Sequence, residues 1–228
     1  VSVLVIAAHP DDEVLGAGGT ICRLREQGRE VHVAILGEGV TSRYDKRSDA
    51  DRGLVAELEG RARAANATLG VQSLSLHGFP DNRFDSVNLL DIVKVVEGLI
   101  GKYQPKTVLT HHIGDLNIDH QIAHRAVLTA TRPLAGHCVR NVLTFEVPSS
   151  TEWAFSTPSP FVPNVFLDIE ASLEAKVAAL ACYESEVRTF PHPRSPEALR
   201  VIARRWASVV GGVAVEPFVL VRALELTL

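Results

Sequence analysis

The chain has 228 residues, 46% hydrophobic and 22% charged, an ordinary balance for a globular protein able to bury its own core. Twenty-three basic and 27 acidic side chains leave a net charge of −4 without a basic block, which argues against nucleic acid as a partner. Cys22, Cys138 and Cys182 are far apart and odd in number, so they read as free thiols of a reducing compartment, and no apolar run approaches the ~20 residues that span a bilayer.

Val3 to Ala8 is a continuous apolar run, the pattern of a strand buried on both faces. It runs directly into a polar motif and reads as a strand, not a signal peptide, so a cytoplasmic location is expected. Val14 to Gln27 has helical spacing and Gly28 as a stop. Gly16, Gly18 and Gly19 in its first turns would allow close packing on a sheet. Val31 to Leu36 is a second strand, followed by a polar loop from Gly37 to Asp51. Leu54, Leu58, Ala62, Ala65 and Leu69 mark a long helix, and a short strand follows near Ser73 to Leu76. Phe79 to Asn88 is a polar loop. Leu89 to Ile100 is a strongly amphipathic helix, Thr107 to Thr110 a strand, and Asp119 to Thr131 a helix stopped near Pro133. Val142 to Val147 is a strand and Ser149 to Pro163 a Ser/Thr/Pro-rich loop. Two helices, around Leu173 to Leu180 and Leu199 to Trp206, precede a last strand at Val213 to Leu224.

This alternation predicts an α/β fold, a Rossmann-like three-layer sandwich with a mainly parallel central sheet. A single domain over 1–228 is expected, with 1–135 as the core carrying the site and 136–228 as a substrate-side portion. Sites in such sheets form at the carboxyl ends of strands. Two sets of polar residues occupy those places.

The first is His9-Pro10-Asp11-Asp12-Glu13, directly after the first strand. Zinc takes imidazole nitrogen and carboxylate oxygen together, and a catalytic zinc needs a further carboxylate to accept a proton from water. One short turn here offers both. The simpler alternative is that the acids cap the following helix. One acid would suffice for that, and three in a row concentrate repulsion that a cation relieves. The glycines from Gly16 to Gly19 do not match G-x-G-x-x-G, and the acids before them would repel a pyrophosphate, which disfavours a dinucleotide site.

The second set follows Thr110: His111, His112, Asp115, Asn117, Asp119, His120 and His124. One ligand from here would complete a His/Asp/His site with a position open for water. His120 and His124 lie four apart on a predicted helix, so taken alone this pair also offers two ligands.

With both sets in view, the sequence resembles the PIG-L (LmbE-like) family of zinc-dependent N-acetylglucosaminyl deacetylases. The hallmark A-H-P-D-D-E is complete at Ala8 to Glu13, and the family's Asp-His pair at a helix start appears as Asp119-His120. The order of βα units is similar over roughly 1–135. The resemblance implies one zinc per chain, held by His9, Asp12 and His120. It implies Asp11 as general base, Asp119 as the group that orients a ligand, and Glu13 as a support. Many members carry a second His three residues before the zinc His. Here that position is Asn117, which can donate to an oxyanion but cannot act as an acid. Either Asp11 returns the proton alone or another His takes the task, with His192 as the candidate.

The implied reaction is hydrolysis of an acetamide on an N-acetylglucosamine-type conjugate, giving acetate and a free amine. The alternatives are a zinc amidase for another N-acyl group and a non-catalytic metal- or sugar-binding protein. Arg43 and Asp81, on loops after the second and third strands, are the expected substrate contacts, with His192 beside them. Trp153 and Phe155 would stack on a sugar or aglycone, anchor their loop, or meet another subunit. Family members often associate, so a homo-oligomer is compatible with the resemblance.

Overall fold

The computed structural model describes residues 2–224. Seven strands form one sheet in the order β3-β2-β1-β4-β5-β7-β6. β1 (Ser2–Ala7), β2 (Glu30–Gly37), β3 (Ser73–Phe79), β4 (Thr107–His111) and β5 (Asn141–Phe145) are parallel to their neighbours in this set. β7 (Val215–Ala223) runs antiparallel to both β5 and β6 (Val165–Asp168).

β1 shows why the sheet is central. Val3, Val5 and Ala7 belong to one buried cluster and Leu4, Ile6 and Ala8 to another. Side chains of a strand alternate between faces, so a run that is apolar throughout demands cover on both. α1 (Asp12–Glu26), α2 (Arg52–Thr68) and α5 (Leu173–Cys182) cover one face, and α3 (Leu89–Tyr103) and α4 (Ile118–Ala130) the other. α6 (Pro196–Val210) packs on β6, β7 and α5. The three predicted layers are present. Among the described residues no helix is long and apolar enough to cross a membrane.

The chain winds outward from β1 to β3, then returns to place β4 on the other side of β1. The carboxyl ends of β1 and β4 therefore flank the crevice where the winding reverses, the place such sheets use for ligands.

Some elements differ from the sequence reading. β6 lies beyond the expected Ser/Thr/Pro-rich loop, and four residues at a sheet edge carry too little periodicity to mark it. β3 extends to Phe79 because Phe79 still pairs with Gly37 beyond an irregularity in register. The loop after β2 contains 3-10 turns at Thr41–Arg43 and Arg47–Asp49.

The glycines of α1 permit close approach, as expected. A Cβ at Gly16 would overlap the Phe145 ring, and one at Gly19 would sit 2.9 Å from Ile169. A buried ion pair closes the same region. Lys176 Nζ lies 2.6 Å from Glu216 Oε1, and Glu216 also accepts the Gly19 and Thr20 N–H groups. Gly16→Ala should destabilise the protein by about 1–3 kcal/mol through overpacking, read as a lower urea midpoint with an unchanged slope.

Glu146 follows β5 and accepts the Trp206 indole N–H at 2.6 Å. Burial pushes its carboxyl from the usual 4.5 up to about 7, against the pull of that hydrogen bond. Between those values the folded state holds more protons than the unfolded chain, so this group makes stability fall as pH rises. Glu146→Gln should flatten that slope between about pH 5 and 7, measured as the pH dependence of the urea midpoint.

Candidate active site

The turn after β1 is built from backbone outward. The Ala8 N–H donates to His111 Nε2 at 2.8 Å, and the His9 N–H donates to Asp12 Oδ2 at 2.8 Å. Asp11 has φ of 102°, a conformation that costs a non-glycine residue about 1–3 kcal/mol. The Asp11 side chain makes no capping bond to α1, so the helix-cap reading of this acid fails. Its Oδ2 instead accepts from Arg194 at 2.8 Å. The strained turn sends two adjacent carboxylates to different partners, Asp11 to Arg194 and Asp12 to the histidines.

Three donor atoms converge. His9 Nδ1 lies 3.4 Å and His120 Nε2 3.3 Å from Asp12 Oδ2. Ligand atoms about 2.0–2.1 Å from a tetrahedral zinc stand roughly 3.3 Å apart, so these separations fit one shared cation. Each imidazole is backed by a carboxylate on its other nitrogen. Asp119 Oδ2 is 2.9 Å from His9 Nε2, and Asp115 Oδ1 is 3.0 Å from His120 Nδ1. Such backing orients a ligating imidazole and raises its basicity. Asp119 is itself held by the Phe84 N–H. Asp115 is held by Ser150, by Thr151 at 2.6 Å and by the Asn117 N–H at 2.8 Å.

The electrostatics favour positive charge here. Burial works against a charged His9, yet Asp119 and Asp12 hold its imidazole up, at about 10. Burial likewise opposes a charged His120, while Asp12 and Asp115 hold it at about 9. Burial alone would raise Asp12, but His120 and His111 hold it well below the usual carboxylate range. Burial also pushes the Asp11 carboxyl up, against the pull of Arg194.

A second set, His9, Asp81 and Asp119, is also close enough to share an ion. Both acids there are already committed. Asp81 Oδ2 accepts the Ser42 N–H and O–H, and Asp119 holds Phe84 and His9. The first set is the better cation site.

The other histidines fall outside it. The His111 Nε2 lone pair is taken by the Ala8 N–H, and its ring stacks on His120 with centroids 4.0 Å apart. His124 Nδ1 bonds to the His111 carbonyl, and His124 is not among the residues whose ligand atoms converge with those of His120.

A cavity of about 630 Å³ opens over the cluster. Asp11, Asp12, His9 and His120 line it, together with the predicted Arg43, Asp81 and Asn117. Asn117 caps α4 by accepting the Asp119 N–H, and its amide donates to Asn82 at 2.7 Å. One of its two amide N–H groups is therefore already committed. Arg43 reaches Glu186 at 2.7 Å. Trp153 lines the cavity, whereas Phe155 does not.

His192 is a correction. It does not line this cavity. Its Nδ1 accepts the Arg194 N–H and its ring meets Trp153 edge-on. The residue from this loop that enters the site is Arg194, two positions on. Asp115 and Glu186 also acquire roles that no spacing in the sequence announced.

Glu13, expected as a support, is hydrogen-bonded through both oxygens. Oε1 accepts the Tyr183 hydroxyl at 2.6 Å and the Asn66 amide at 2.9 Å, and Oε2 accepts the Asp11 N–H at 3.1 Å.

A family model described as GlcNAc-PI de-N-acetylase (PIG-L) matches residues 4–131. The uncharacterized deacetylase YaiS of Escherichia coli K12 is 29% identical over 80% of this chain and 90% of its own length. The 4-oxalmesaconate hydratase of Pseudomonas putida KT2440 is 30% identical over 79% of this chain and 72% of its own length. Diacetylchitobiose deacetylase of Thermococcus kodakarensis is 27% identical over 81% of this chain and 69% of its own length. Among solved structures, GalB, a 4-carboxy-2-hydroxymuconate hydratase of P. putida, superposes with a TM-score of 0.74 at 25% identity, covering 100% of this chain and 99% of its own.

If the cluster holds a divalent cation, Asp115→Asn should weaken that binding by about 10–100-fold without unfolding the protein, measured by competition with a chromophoric chelator.

Proposed function

The chain belongs to the PIG-L family, and from that premise we propose that it is a zinc-dependent N-deacetylase of N-acetylglucosamine-type conjugates. The observation that carries the reading is the separation of two adjacent acids. Asp12 faces two carboxylate-backed imidazoles, while Asp11 stands beside them, free of that cluster and facing the cavity. Diacetylchitobiose and GlcNAc–malate deacetylases among the relatives support the choice of substrate class.

A zinc ion held by His9, Asp12 and His120 would supply positive charge that polarises the acetamide carbonyl and acidifies water. The protein's own groups do the rest. Arg194 occupies Asp11 Oδ2 and leaves Oδ1 to take a proton from water as it attacks. The second amide N–H of Asn117 is available to the developing oxyanion. The leaving nitrogen then needs a proton. Arg194 cannot supply it, because a guanidinium does not deprotonate. Asn117 has none to give, and His192 is outside the cavity. Asp11 therefore returns the proton it took, and water plus amide become acetate plus amine. Asp81, Ser42 and Asn82 form a hydrogen-bonded rim suited to sugar hydroxyls.

The hydratase relatives define a second reading, in which the same base adds water to a carboxylated alkene. Such a substrate calls for unpaired cations. In this cavity both arginines are paired, Arg43 with Glu186 and Arg194 with Asp11. A neutral sugar fits better.

The test is release of a primary amine from N-acetylglucosaminides by the zinc-loaded protein, with 4-carboxy-2-hydroxymuconate as a parallel substrate. Amine release that a chelator abolishes is expected. Hydration of the muconate without amine release would replace this reading with the second. Asp11→Asn should keep its zinc and lose activity by about 10²–10⁴-fold. Full activity in that variant would refute the proposed base.

A further inference from the structure

Three buried side chains meet behind the turn that carries Asp11: Glu13, Asn66 and Tyr183. None of them lines the active-site cavity. Asn66 stands on α2 and Tyr183 directly follows α5, so two distant segments converge on one carboxylate of α1. Glu13 Oε1 accepts the Tyr183 hydroxyl at 2.6 Å and the Asn66 amide at 2.9 Å, while Oε2 accepts the Asp11 N–H.

That N–H is where the turn has a choice. A backbone φ of 102° in a non-glycine residue persists only where its surroundings over-determine it. The Asp11 carbonyl is fixed by α1, since the Val14 and Leu15 N–H groups donate to it at 3.0 and 2.9 Å. The Asp11 N–H is fixed by Glu13, so one carboxylate oxygen sets the tilt of the Pro10–Asp11 peptide. The cation donors do not use this contact. The His9 N–H goes to Asp12, and the His9 and His120 rings are backed by Asp119 and Asp115.

Asn66 supplies an independent observation. Its amide nitrogen donates to Glu13 and to the Ala62 carbonyl, and its Oδ1 is buried with no hydrogen-bond partner among the described residues. An orphaned buried acceptor is costly, and an apolar side chain on α2 would avoid it. What Asn66 contributes in return is its N–H on Glu13.

We propose that Tyr183 and Asn66 are positioning residues for the base: by clamping Glu13 they hold Asp11 in its left-handed turn and keep its carboxyl on Arg194 and toward the cavity. The proposal rests on Asp11 as the base in the reading above. Neither residue touches substrate or cation. The base is therefore aimed from behind the turn, and the cation donors are aimed from beside it.

The experiment follows Tyr183→Phe, which keeps the buried ring and removes the hydroxyl, by kinetics, metal competition and crystallography. For amine release by the zinc-loaded protein, kcat should fall by about 10–100-fold, the loss of one hydrogen bond to a charged acceptor, with KM and zinc affinity unchanged. Asn66→Ala should act in the same direction, and it carries the same expectations if the Tyr183 variant does not fold. In an Asp11→Asn background, with no base to aim, Tyr183→Phe should cost nothing further. In the crystal, Asp11 of the Tyr183→Phe protein should leave positive φ and part from Arg194. A lower urea midpoint with unchanged kcat, or an additive loss in the double variant, would overturn the clamp and leave the deacetylase reading standing. If the native protein releases no amine, a displaced Asp11 in the Tyr183→Phe crystal keeps the clamp while the deacetylase reading falls. An Asp11 that has not moved overturns the clamp in either case.

Discussion

Six carboxylates are buried in one crevice: Asp11, Asp12, Glu13, Asp81, Asp115 and Asp119. Their mutual repulsion, in a place with little water to screen it, is the constraint around which the site is arranged. Each has its own solution. Hydroxyl and backbone donors hold Asp81, and a hydroxyl and an amide hold Glu13. Asp115 and Asp119 each turn one oxygen toward an imidazole. Asp12 sits between those imidazoles, and Asp11 has a guanidinium. The acids at the centre thus have positive charge beside them, from Arg194 and from the imidazoles, and those at the edge hold the imidazoles in place. A cation site of this kind is a consequence of how the negative charge is distributed.

The fold places these groups with little local help. β1 and β4 are adjacent because the winding reverses between them, and each delivers its polar turn at the same end. The neutral His111 ring is part of this scaffold. It accepts the Ala8 N–H and lies flat against His120, so it fixes the height of one turn relative to the other. Burial holds its imidazole well below the usual value, which suits a hydrogen-bond acceptor.

Much of this was legible in the amino-acid sequence. The strands of the parallel half announce themselves as apolar runs, because burial on both faces leaves no room for polar residues. The His9, Asp12 and Asp119-His120 motifs are short and local, so resemblance finds them directly. What stayed hidden depends on distance along the chain. Arg194 is 183 positions from Asp11, and Tyr183 is 170 from Glu13. The loop from Phe190 to Arg194 drew attention for the wrong residue. A missing proton donor suggests an imidazole, but what the buried Asp11 carboxylate has beside it is a permanent cation. Asp115 was visible within a dense set of ligand-type residues, yet only coordinates separate a group that backs a ligand from a ligand.

The brace on the catalytic turn also sets when the site comes into being. A ribosome delivers β1 to α4 first, and with them every metal donor and both carboxylates that back them. Tyr183 and Arg194 emerge later, both after α5. Until they dock, Asp11 and Glu13 face each other and Asp12 without the hydroxyl and guanidinium that make their closeness tolerable. The donors of the candidate cation site thus come from the first half of the chain, while the groups that brace the proposed base come from its last third.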